Sequence, residues 1–144
     1  MTAAAAAAEH PAPARHVVGL PALWFGLFGA PVAWTVQELA SSAVIGHSCF
    51  PHWRPLELPS IAGTWVIALI VSILTLALGA AAALVAWQSW QRTRAAHGAD
   101  ATRQAEVGEG RARFMALSGL VVSGLVLYNM VLNLLVLFFV PACG

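Results

Sequence analysis

Three apolar stretches, residues 20–46, 61–87 and 114–140, fill over half of the chain and hold a single acidic residue, Glu38, between them. At about 1.5 Å rise per residue, each would be roughly 40 Å long as a helix, more than the ~30 Å hydrocarbon core of a bilayer. Hydrophobic residues make up 60% of the sequence, charged residues only 9%, and the mean hydropathy is +0.78. A water-soluble domain of this size cannot cover its surface with that composition, so the bilayer is the expected solvent for most of the chain. The expected fold class is an all-α membrane protein with three transmembrane helices.

Orientation follows from charge. The chain has no lysine, and five of its seven arginines (Arg92, Arg94, Arg103, Arg111 and Arg113) fall in the connection 88–113. Short loops rich in Lys and Arg stay on the cytoplasmic side, so this connection is expected inside. Three spans then place the tail 1–19, with Arg15, in the cytoplasm. The loop 47–60, with Arg54, and the C-terminal residues 141–144 become periplasmic. Trp24, Trp87 and Trp90 would mark the inner interface and Trp53 and Trp65 the outer one, where amphipathic rings prefer to lie; Trp34 does not fit this belt. The absence of lysine together with abundant alanine suggests a GC-rich bacterial gene, and hence a multi-pass protein of the bacterial inner membrane.

The tail is an alanine- and proline-rich tract with no apolar face to bury, and is expected to be disordered. Residues 41–43, Ser-Ser-Ala, resemble a signal-peptidase site. The apolar run before them is too long for a signal core, however, and is interrupted by Pro31, Gln37 and Glu38. The Arg-rich connection reads as a helix extension followed by a flexible loop.

Small residues recur every three or four positions along each run: Gly26, Gly29, Ala30, Ala33, Gln37, Ala40 and Ser41 in the first; Thr64, Ala68, Ser72, Thr75, Gly79, Ala82, Ala83 and Ala86 in the second; Ala116, Gly119 and Ser123 in the third. That spacing puts them on one face of each helix. Close packing and interhelical hydrogen bonds drive helix association in lipid, so these faces are expected to meet as a bundle or to meet a partner. Pro31 frees the carbonyl of Leu27 and permits a bend.

Counted from the outer ends of the runs, Gln37, Glu38, Ser72, Asn129 and Asn133 fall at similar depth and form an expected polar layer in the outer leaflet. One reading of the layer is interhelical glue, with hydrogen bonds on the order of 1 kcal/mol each. The other is a site. A carboxylate at the centre of a span costs about 2.5–3.5 kcal/mol on translocon scales, so Glu38 is expected to be neutral, paired or near water, serving a proton path, a quinone or a partner subunit. It lies about 100° around the helix from Gln37, which directs it away from the small-residue face and toward another chain.

Cys49 and Cys143 each follow a span by three residues, on the predicted periplasmic side, where thiols oxidise. A disulfide tying the first span to the third is the natural reading of two cysteines at matched depth. The alternative is a metal set of His47, Cys49, His52 and Cys143, suited in principle to zinc or copper, although the spacing is not that of a closed zinc site. His10, His16 and His97 fall in segments expected to be flexible. There is no Cys-x-x-Cys-His haem motif, phosphate loop, nucleophile elbow or metalloprotease motif.

Residues 29–34, Gly-Ala-Pro-Val-Ala-Trp, with Gln37, Cys49, residues 113–117, Arg-Phe-Met-Ala-Leu, and residues 141–143, Pro-Ala-Cys, resemble small three-helix bacterial membrane proteins encoded beside caa3-type or related cytochrome c oxidases. The resemblance implies association with a respiratory complex and carries over no catalytic residue. The expected function is an accessory, non-catalytic subunit of such a complex. The chain would bind no cofactor alone, haem and copper would belong to partner subunits, and contacts would be to other membrane subunits and lipid rather than nucleic acid. The alternatives are a periplasm-facing assembly or copper- and thiol-handling factor, and a small oligomeric transporter. An intramembrane enzyme would have only Glu38, the histidines and the cysteines to work with.

Overall fold

The computed structural model describes residues 18–50, 62–96, 109–140 and 143. Expectations placed on the N-terminal tail, on the loop bearing His52, Trp53 and Arg54, and on the middle of the Arg-rich connection lie outside those residues. The described chain is all-helical: α1 Leu20–Cys49, α2 Thr64–Ala96 and α3 Glu109–Phe139. Within α2 and α3, Thr64–Arg94 and Arg113–Phe139 are long and apolar enough to cross a membrane. By composition, α1 is not one of these two helices; Pro31, Gln37 and Glu38 interrupt it.

Local chemistry sets the helix ends. Gly19, extended at φ −65° and ψ 142°, precedes α1, and its carbonyl accepts hydrogen bonds from the amides of Ala22 and Leu23 at 3.0 and 3.3 Å. Pro21 occupies the first turn, where its missing N–H has no helical partner to lose. The helix runs on through Pro31, and the Thr35 hydroxyl donates back to the Pro31 carbonyl at 2.9 Å. Gly63 sits at φ +81°, a conformation that side-chain-bearing residues rarely adopt, so α2 begins at Thr64 rather than where the apolar run begins. At the opposite end α2 continues past Trp87 to Ala96, and α3 starts at Glu109, ahead of Phe114. An apolar run marks where the solvent changes; a helix ends only where its backbone bonding stops.

All three helix pairs pack together. A methyl group built on Gly26 would lie 3.1 Å from Cα of Ala86, one on Gly29 would lie 2.7 Å from Cβ of Ala82, and one on Gly79 would lie 3.9 Å from Cβ of Ala30. As the α1 number rises its α2 partner falls, so these helices are antiparallel. A methyl on Gly119 would lie 3.0 Å from the Gly26 carbonyl oxygen, and Ser123 Oγ donates to that same oxygen at 3.1 Å. Gly26 is thus the point where the backbones of α1 and α3 and the side of α2 converge.

The inward positions recur in steps of three, four or, once, seven: Leu23, Gly26, Ala30, Ala33 and Gln37 on α1; Thr64, Ala68, Ser72, Thr75, Gly79, Ala82, Ala86, Ser89 and Thr93 on α2; Ala116, Gly119, Ser123 and Met130 on α3. This is the 3.5-residue seam of left-handed coiled coils. Most of the buried side chains are small, Leu23 and Met130 being the large exceptions, and most large apolar side chains point outward on every helix. Leu39, Leu74, Leu84, Phe114, Leu125 and Phe139 are each at least 60% exposed. In water, an apolar surface this continuous would drive aggregation. Rings gather at both ends. Trp24 stacks on Phe28, Trp87 meets Trp90 and Arg94 caps Trp90 at one end, while Trp65 meets Phe138 edge-on at the other.

Candidate functional site

Four of the five residues expected in the polar layer come together. Gln37, only 3% exposed, points Nε2 from α1 at Ser72 Oγ on α2 across 3.4 Å, a long hydrogen bond. Glu38, one position on, faces α3. Its Oε1 accepts from Trp34 Nε1 at 3.1 Å and from Asn133 Nδ2. The Trp34 indole, which did not fit the interface belt, is therefore the second donor to the half-buried carboxyl.

Two expectations need correction. Asn129 is exposed and stands outside the layer. Depth alone had placed it there, but rotation decides. Met130 occupies the seam position on that turn, and the next three-residue step leads to Asn133. Glu38, in turn, points to α3 of its own chain, where Asn133 holds it. In a three-helix bundle α1 faces two neighbours, so the direction 100° from its α2-facing side is its α3-facing side.

Thr75 is buried but turns its hydroxyl onto its own helix, donating to the carbonyls of Val71 and Ser72 at 2.8 and 3.2 Å. Sequence reading missed Ser41 and Ser42, which join Gln37, Glu38, Ser72 and Asn133 in lining a cleft of about 470 Å³ between the helices. Its remaining wall is apolar, with Ile45, Val136 and Leu137 among its residues. Two polar atoms of this wall, Gln37 Oε1 and Ser41 Oγ, are buried without a hydrogen-bond partner among the described residues. The i+4 step from Gln37 to Ser41 was visible in the sequence, as part of the small-residue face.

At the end of the bundle that carries Cys49 lies a fastening. Cys49 is fully buried and bonded to Cys143, with Cα atoms 5.4 Å apart. Ser48 and Thr64 share a hydrogen bond at 2.8 Å, and Trp65 Nε1 donates to the Leu137 carbonyl at 3.1 Å. All three helices are therefore tied at one end. The bond consumes the thiolates that the metal set would need. Of that set, His47 is exposed and His52 lies outside the described residues. Among the described residues no three His, Cys, Asp or Glu side chains gather to hold a metal ion.

The cleft's chemistry is thus one carboxyl group, two amides and three hydroxyls against an aliphatic wall. Such a set can hold a polar group by hydrogen bonds. It offers Ser41, Ser42 and Ser72 no imidazole to activate them, and Glu38 is already engaged by two N–H donors. No protein-family model, curated protein or solved structure proved similar to the chain.

Proposed function

We propose that the chain is a three-span protein of the bacterial inner membrane, with its N-terminus cytoplasmic and its C-terminus periplasmic. In this reading it serves as an accessory, non-catalytic subunit of a respiratory complex, a haem–copper cytochrome c oxidase or a related electron-transfer complex. The observation that carries the reading is the inverted packing: small residues are spent on contacts within the bundle, and large apolar side chains face outward on α1 as well as on α2 and α3. A helix that exposes Trp24, Phe28, Val32, Val36 and Leu39 suits lipid or neighbouring subunits. Pairing Glu38 with Asn133 and Trp34 offsets the cost of carrying a carboxyl into the span. The respiratory assignment is supported by the sequence resemblance. The alternative is a copper- or thiol-handling factor; copper binding would need Cys49 and Cys143 as thiolates, and the two sulfurs are bonded to each other.

Purifying the tagged chain from native membranes in mild detergent tests the assignment. Larger subunits with haem absorbance are expected to accompany it. A colourless protein running alone would exclude it.

A further inference from the structure

The cleft has needs that the bundle itself does not meet. Gln37 Oε1 and Ser41 Oγ are screened from solvent yet unpartnered, and Glu38 Oε2 has no hydrogen-bond partner among the described residues, since both donors converge on Oε1. A buried polar atom without a partner is costly, and rare in native proteins. Exchanging the two ends of the Gln37 amide does not help: whichever atom meets Ser72, the other is left over. The Gln37 and Ser41 side chains both belong to the wall of the cleft.

Two vacant acceptor oxygens and one unpartnered hydroxyl beside an aliphatic wall call for a ligand with O–H or N–H donors, and an oxygen that accepts, on an otherwise apolar body. Two membrane amphiphiles have that chemistry: a phospholipid with a primary ammonium head, and a hydroxylated ring on an apolar tail. Depth separates them. The cleft runs from Gly46 and Val140 inward to Gln37, nine positions before Gly46, roughly 14 Å along the helix and so close to the middle of a ~30 Å hydrocarbon core. Phospholipid headgroups do not sit at that depth, whereas a neutral hydroxylated ring can. The volume of about 470 Å³ is within the usual range for small-ligand sites.

We propose that this cleft binds the head of a membrane-soluble hydroquinone, its two hydroxyls donating to Gln37 Oε1 and Glu38 Oε2 and one of its oxygens accepting from the Ser41 hydroxyl. The proposal rests on the three helices lying in a bilayer, and is independent of which complex the chain joins.

The test uses the full chain in nanodiscs of phosphatidylcholine, whose head carries no N–H or O–H donor. The probe is decylubiquinol kept reduced, and the reporter is the indole N–H signal of Trp34, assigned by its loss in Trp34→Phe. Decylubiquinol is expected to shift that signal saturably, and Gln37→Leu and Ser41→Ala are each expected to weaken binding at least tenfold. The other indole signals are expected to stay in place in both variants, which establishes that they fold. Three outcomes would overturn the proposal: no saturable shift, a shift of the same size on adding phosphatidylethanolamine, or unchanged binding by folded Gln37→Leu. A chain that does not enter nanodiscs at all would overturn the membrane reading beneath it; an embedded chain without the shift would overturn the ligand alone.

Discussion

Gly119→Ala adds one methyl group where the bundle has no room for it. The new carbon would stand 3.0 Å from the Gly26 carbonyl oxygen, 3.2 Å from its carbon and 3.3 Å from the Leu27 nitrogen. All three are backbone atoms, which cannot swing aside as a side-chain tip would. Restoring ordinary contact requires α1 and α3 to separate by about 0.5 Å. The same movement stretches the 3.1 Å bond from Ser123 to the Gly26 carbonyl toward its limit. Overpacking of this kind costs about 1–3 kcal/mol, and a weakened interhelical hydrogen bond in a membrane adds up to ~0.6 kcal/mol. Alanine's helical advantage over glycine returns roughly 0.5–1 kcal/mol. A net loss of about 1–2 kcal/mol is expected, a factor of roughly 5–30 in the folded-to-unfolded ratio. Gly124→Ala is the matched control, five residues along the same helix, where a methyl meets nothing within 4 Å. Reversible unfolding in mixed micelles of mild detergent and dodecyl sulfate, followed by tryptophan fluorescence, measures both. Gly119→Ala is expected to lower the unfolding midpoint while Gly124→Ala leaves it unchanged or raises it. Equal midpoints for the two variants would refute the close approach of α1 and α3 at this node.

Further outcomes follow from the hydrogen bonds and the disulfide. Glu38→Ala leaves the Asn133 amide and the Trp34 indole without their shared acceptor, and is expected to cost about 1–2 kcal/mol in the same unfolding assay. Glu38→Gln keeps an acceptor oxygen and is expected to recover most of that loss; equal damage by the two would mean that the hydrogen bonds do not hold the helices. Ser123→Ala is expected to cost about 0.6–1 kcal/mol through the lost bond to Gly26, and no loss would remove that bond from the account. Cys143→Ser opens a link spanning 94 residues. Thermal unfolding is expected to show a loss of about 2–4 kcal/mol, and intact-mass analysis after alkylation under nonreducing conditions is expected to find no free thiol in the parent chain.

Hydropathy and spacing revealed three helices and their small-residue seams, because close helix packing selects small side chains and a helix repeats on a fixed period. Ala30, Ala33, Ala82, Gly119 and Ser123 could be assigned inward from spacing alone. The extension of α2 past Trp87 was legible too, but the starts of α2 at Thr64 and of α3 at Glu109 were not, since a helix begins where its backbone bonding begins rather than where hydropathy rises. The site was partly legible. Depth grouped Gln37, Glu38, Ser72 and Asn133, but it included Asn129 because depth carries no information about rotation. The link from Glu38 to Asn133 needed knowledge that α1 packs against two helices at once. Ser41 looked like one more small residue, and only three-dimensional packing exposes its unsatisfied hydroxyl.

The central claim is that all three helices, including α1 with its carboxyl group, lie within the bilayer with the N-terminus inside. An epitope tag placed before residue 1 and exposed to protease in intact spheroplasts tests this most directly. Three spans predict a tag protected until the membrane is broken, alongside a C-terminal tag cleaved from outside. An N-terminal tag digested in intact spheroplasts would contradict the account.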